Sequence, residues 1–189
     1  MRNLAALCLA AVLGACAGSE REHAAIAPPA PRSAWIVGGQ GAAIGQATFT
    51  EGPTGVLIRL EFSANALPPG WHGLHIHNVG DCSDVTAGFQ ISGGHIGHGQ
   101  GGRQHGLLNQ HGPEQGDLPS VFAAANTPFA AEVFSTGLTL ASEGANGRMP
   151  LLDRDGAALV VHANVDDQVS QPVGGAGARL GCAALTPTP

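Results

Sequence analysis

Residues 56–63 read VLIRLEFS, with Val56, Ile58, Leu60 and Phe62 on one face of an extended chain and Arg59 and Glu61 on the other. Side chains alternate across a strand, so this period fits a sheet with one buried face and does not fit a helix. The same constraint runs along the chain. Apolar runs are short, turn residues separate them, and no stretch carries a long helical period. Further strand candidates are 45–50, 73–78, 131–134, 137–140, 158–162 and 179–183. The 29 glycines and 13 prolines supply the turns between them. An all-β protein is expected, and 189 residues suffice for one such domain with a real core.

The first residues read as an export signal. Arg2 is a short positive start, and residues 4–13 form an apolar run too short to span a bilayer. Leu13-Gly14-Ala15-Cys16 resembles a bacterial lipobox, in which Cys16 is lipidated and begins the mature chain. Ala15-Cys16-Ala17 also fits an A-x-A site for ordinary signal peptidase. Residues 1–15 are therefore expected as signal, 16–34 as an Ala/Pro-rich linker, 35–185 as the folded domain and 186–189 as a tail. The expected location is the periplasm or the outer membrane, with the lipid anchor as the membrane contact. There, Cys82 and Cys182 read as one disulfide, two buried free thiols being the other option. A net charge of −6 with no lysine argues against a nucleic-acid partner.

Residues 71–82, WHGLHIHNVGDC, place His75 and His77 one residue apart. On a strand they point the same way, with Ile76 behind them, and two imidazoles on one rigid face suit copper, zinc, iron or nickel. Alone, such a pair is as consistent with surface histidines. The remainder of the chain adds weight: His95, His98, His105 and His111 fall in a Gly- and Gln-rich segment, 92–117, that ends at Asp117, and His162 ends the apolar run ALVVH. A loop of that length inside a domain is usually functional or disordered. His72 is read as a turn residue.

From about residue 44 to 184 the chain resembles a copper/zinc superoxide dismutase. The matching pieces are GLHIH, GDC, GGH, RQHG, GDLP, LLDRDGAALVVHANVDD and GGAGARLGC, in the family's order. The resemblance implies an eight-stranded antiparallel Greek-key β-barrel, related to an immunoglobulin-like sandwich, with long metal-binding loops. It implies copper at His75, His77, His95 and His162, with His95 bridging to zinc at His105 and Asp117. Asp166 matches the aspartate that hydrogen-bonds one histidine of each metal. Arg179 matches the arginine that attracts and orients the superoxide anion, and Cys82 and Cys182 match the family's disulfide. His95 and Arg179 are the expected catalytic residues, for dismutation of superoxide to dioxygen and hydrogen peroxide.

Two departures stand out. Glu114 occupies the place of a third zinc histidine, and His95 is followed by IGHG where the family has a residue and then Asn-Pro. Glu114 could take zinc itself, since carboxylates do so; His111 or His98 could replace the missing imidazole; or the enzyme could be copper-only. Taken singly, His98 and His111 read as solvated loop histidines. The alternative to an enzyme is a non-catalytic copper- or zinc-binding relative, a metal store or chaperone-like domain.

Overall fold

The computed structural model describes residues 28–187; the expected signal and Cys16 lie outside the described residues. Eight strands form one antiparallel sheet: β1 (Arg32–Gly38), β2 (Ala43–Gly52), β3 (Gly55–Phe62), β4 (Gly70–His77), β5 (Asp117–Ala123), β6 (Phe129–Ser135), β9 (Ala157–His162) and β10 (Arg179–Leu185). Two short strands between them, β7 (Leu138–Thr139) and β8 (Met149–Pro150), pair in parallel apart from the sheet. The sheet runs β5-β4-β9-β10-β1-β2-β3-β6. Its two edge strands come alongside each other, which makes a nearly closed barrel. The chain leaves β3 for β4 on the far side of the sheet, and β9 returns to lie between β4 and β10, a Greek-key path.

The alternation that predicted β3 decides its packing. Val56, Ile58, Leu60 and Phe62 are buried in the barrel. Outside, Arg59 stands opposite Glu132 of β6 and donates to its carboxylate at 2.6 and 2.8 Å. Strands β4 and β9 are different, being buried on both faces for nearly their whole length. Leu74, Ile76, Leu159 and Val161 fill the barrel. Ala158 and Val160, on the other face of β9, lie under a second cluster with Phe89 and Cys182. A strand pair covered on both sides is a rigid floor on which side chains can be placed accurately.

Three expectations change. Strand β1 begins at Arg32, inside the segment read as linker and ahead of the expected domain start at Trp35, and pairs with β2 and β10. Strand β5 follows directly on the long loop and was not expected from the sequence. His72 is no turn residue: β4 starts at Gly70, the register with β5 shifts between His72 and Leu74, and His72 is buried. Its ring nitrogens meet the carbonyl oxygens of His162 at 2.7 Å and Pro68 at 2.8 Å. Among the described residues there is no α-helix, only three short 3₁₀ turns.

Cys82 and Cys182 form a disulfide across a sequence separation of 100, tying the start of the connection from β4 to β5 onto β10. Closing so long a loop restricts the unfolded chain and contributes about 4–5 kcal/mol in the loop-entropy model. A Cys82→Ser, Cys182→Ser variant should lose stability of that order in denaturant titration. An unchanged midpoint would mean the barrel alone sets the stability.

Candidate metal centre

The site is built on the outer face of β4 and β9. His75 and His77 share that face, as period two requires, and β4 pairs with β9 from Leu74↔Val161 to His77↔Ala158. His162 is the last residue of β9. The loop brings in His95 by backbone bonds to β4: Asn78 N donates to Gly94 O, and Ile96 N to Ile76 O, which sets His95 beside His77. Asp117 opens β5 in register with His75.

Ring nitrogens of His75, His77, His95 and His162 converge within 4.8 Å of one another, and all four residues are buried. Each ring already uses its other nitrogen. His77 Nδ1 donates to Gly93 O at 2.8 Å, His162 Nδ1 to Gly177 O at 3.0 Å, and His75 Nε2 to Asp166 Oδ2 at 2.7 Å. His95 Nδ1 lies 2.9 Å from Glu114 Oε2 and 3.3 Å from Asp117 Oδ1. The nitrogens left over, His75 Nδ1 and Nε2 of His77, His95 and His162, are buried with no protein hydrogen-bond partner. Buried polar atoms are rarely left so, and four imidazole lone pairs facing one point are the donor set of a transition-metal ion. A copper ion fits this set.

A second group adjoins it. His75, His95, His105 and Asp117 also converge within 4.8 Å. His105 Nδ1 contacts Asp117 Oδ1 at 2.8 Å, while Asp117 Oδ2 accepts the backbone N–H groups of Gly106 and Glu114. The two groups are joined by Asp166, whose oxygens accept from His75 Nε2 at 2.7 Å and His105 Nε2 at 3.1 Å. Gly174 passes so close to this carboxylate and to His105 that a Cβ there would collide with both. Glu114 is 1% exposed and directs Oε2 at His95 and Oε1 at His98 Nδ1. The imidazoles of His95 and His105 with the Asp117 carboxylate are donors that fit zinc, and Glu114 Oε2 lies within 2.9 Å of His95 Nδ1. His111 stays at the surface with its ring on Gln110, outside both groups.

His77, His95 and His162 line an open cleft of about 330 Å³ with Gln90, His98, Pro172, Val173 and Arg179. Arg179 is held there by the loop: Nη1 donates to Phe89 O at 2.6 Å and Ser92 Oγ at 3.0 Å, and Nη2 to Gly93 O at 2.8 Å. Ser92 is fully buried, and its hydroxyl also lies 3.4 Å from His77 Nδ1. Nothing in the sequence singled out Ser92, because the His77 and Arg179 side chains it meets are 15 and 87 residues away.

The two groups differ electrically. Burial, with the neighbouring His95 and Arg179, pushes His77 down to about 2; burial and the adjacent His75 push His162 down to about 3. Burial lowers His75 as well, against its bond to Asp166. On the other side burial also opposes charge, but carboxylates outweigh it. Asp117 and Glu114 raise His95, and Asp117 and Asp166 raise His105 to about 10. The same contacts hold Asp117 and Asp166 well below the usual carboxylate range despite their burial.

Residues 43–185 match the family model described as copper/zinc superoxide dismutase. A superoxide dismutase [Cu-Zn] of Caulobacter vibrioides is 46% identical over 153 residues, 81% of this chain and 84% of that one. A superoxide dismutase [Cu-Zn] of Aquifex aeolicus is 35% identical over 151 residues, 79% of this chain and 83% of its own length. Among solved structures, a double mutant of a superoxide dismutase-like protein from Bacillus subtilis superposes with a TM-score of 0.72 at 29% identity, over 82% of this chain and 96% of that one.

The histidine shifts have a consequence for the metal-free protein. His77 and His162 remain neutral in the fold while the unfolded chain takes up protons below about 6.5. Stability is therefore full above that pH and declines as pH falls toward 3. His105 acts oppositely: its contribution is full below 6.5 and is lost as pH rises through about 10. The melting temperature of the metal-free chain should peak near neutrality and fall on both sides. A flat profile between pH 6.5 and 4 would contradict the buried, neutral state of the first group.

Proposed function

The chain belongs to the copper/zinc superoxide dismutase family, and from that premise we propose how its clustered side chains serve the family's reaction. The protein is a superoxide dismutase: two superoxide anions and two protons become one dioxygen and one hydrogen peroxide. The observation that carries the reading is the convergence of four otherwise unpartnered imidazole nitrogens at the base of a cleft that also holds an arginine.

His75 Nδ1 and Nε2 of His77, His95 and His162 would hold copper. His95 Nδ1, His105 Nδ1, Asp117 and Glu114 Oε2 would hold zinc in the four-coordinate set that zinc favours. His75 belongs to the copper side alone, because its Nε2 is spent on Asp166 and its Nδ1 faces the first group. Copper supplies the one-electron reduction and reoxidation that disproportionation needs, and zinc supplies a fixed positive charge beyond His95.

The chain's own residues do the rest. Asp166 accepts from Nε2 of both His75 and His105, which leaves each Nδ1 free to act as a ligand. His95 presents one nitrogen to each group; when copper does not occupy it, its Nε2 can carry a proton at the base of the cleft, where peroxide would leave. Arg179 stands in the cleft wall of a protein with net charge −6 and adds local positive potential that would draw an anion inward. A metal store would have no use for a cation beside an open copper face. The disulfide supports an oxidising compartment, in keeping with an exported chain that is either periplasmic or anchored to the outer membrane through Cys16.

His162→Ala should keep the disulfide-pinned barrel and lose dismutation together with tight copper binding. Full activity in that variant would refute the copper assignment. Arg179→Ala should lower the second-order rate roughly 10-fold or more and flatten its dependence on ionic strength. A rate unchanged in both respects would place the steering charge elsewhere.

A further inference from the structure

Two departures from the family's sequence pattern meet in a single hydrogen bond. Glu114 stands where the family has a third zinc histidine, and the segment after His95 is IGHG. In the fold, His98 Nδ1 lies 2.5 Å from Glu114 Oε1. Replacing an imidazole with a carboxylate brings a second oxygen into the interior. Glu114 is 0% exposed at its side chain, so that oxygen needs a donor, and a buried carboxylate without one is costly. The other oxygen, Oε2, is committed to the cluster at 2.9 Å from His95 Nδ1.

The local backbone is shaped to supply the donor. His98 N donates to His95 O at 3.2 Å, closing a turn that brings both histidines to one carboxylate. Gly97 lies in that turn at φ 80°, and a Cβ there would run into the Gln115 side chain. The His98 side chain is 63% exposed, so it covers Glu114 from the solvent side without entering the cluster.

We propose that His98 is a positioning residue for zinc: its Nδ1–H donates to Glu114 Oε1 and so holds Oε2 on the metal. The inference rests on the zinc-side reading of Glu114 given above. A neutral imidazole protonated at Nδ1 is sufficient for this task. Residues that orient a metal ligand typically contribute about 10- to 100-fold in affinity.

The test is zinc affinity of the full metal-free chain, measured by competition with a chromophoric chelator, with the visible spectrum of cobalt(II) at the same site. His98→Ala should weaken zinc about 10- to 100-fold. His98→Asn should restore most of the loss, because its amide N–H reaches about where Nδ1 stands, and should leave the cobalt spectrum as in the parent. In a Glu114→Ala background, His98→Ala should cost nothing more. A loss in Glu114→Ala but none in His98→Ala would overturn the proposal alone. A loss in neither would overturn the zinc-side reading beneath it. A loss that His98→Asn fails to restore, with an altered cobalt spectrum, would make His98 a ligand instead.

Discussion

The Asp166 carboxylate, shared between His75 Nε2 and His105 Nε2, is the interaction on which both halves of the centre depend. It determines which nitrogen of each ring is free. It also couples the two rings, so neither can rotate without stripping a buried carboxylate of a donor. The surrounding chain is fitted to it. Gln168 N donates to Oδ1, Ser120 Oγ accepts from the Asp166 backbone N–H, and Gly174 passes where no side chain has room. The segment between β9 and β10 is thereby held against the site, and it carries Gly177, whose carbonyl orients His162.

Charge is divided across the centre. On the cleft side His77 and His162 are buried away from carboxylates and remain neutral, as ligands must be. On the other side Asp117, Glu114 and Asp166 favour positive charge, which suits a divalent ion. His95 stands between the two and touches both. The cleft opens on the neutral side, next to Arg179, so an incoming anion meets one cation and no carboxylate among the described lining residues.

Much of this was legible in the sequence, for local reasons. Period two placed His75 and His77 on one face, and alternation in VLIRLEF identified both the strand and its buried side. The order of seven short pieces named His95, His105, His162, Asp166 and Arg179. What was illegible had physical causes. Pro119 sits in β5, and proline argues against a strand except at a sheet edge, which is where β5 lies. Strand β1 follows an Ala/Pro-rich stretch without a clear period. His72, which reads as a turn residue, lies buried within β4 beside a register shift that no periodicity announces. The contact between His98 and Glu114 spans 16 residues of loop and depends on a turn that no periodicity announces.

The central claim is that the four-histidine group, loaded with copper, dismutes superoxide. The most direct measurement is the second-order decay of pulsed superoxide in the presence of the metal-free chain, then of the chain loaded with copper, then with copper and zinc. The account predicts no catalysis by the metal-free chain, catalysis once copper is bound, and the highest rate with both metals. Superoxide decay that stays at the uncatalysed rate in all three forms would contradict it.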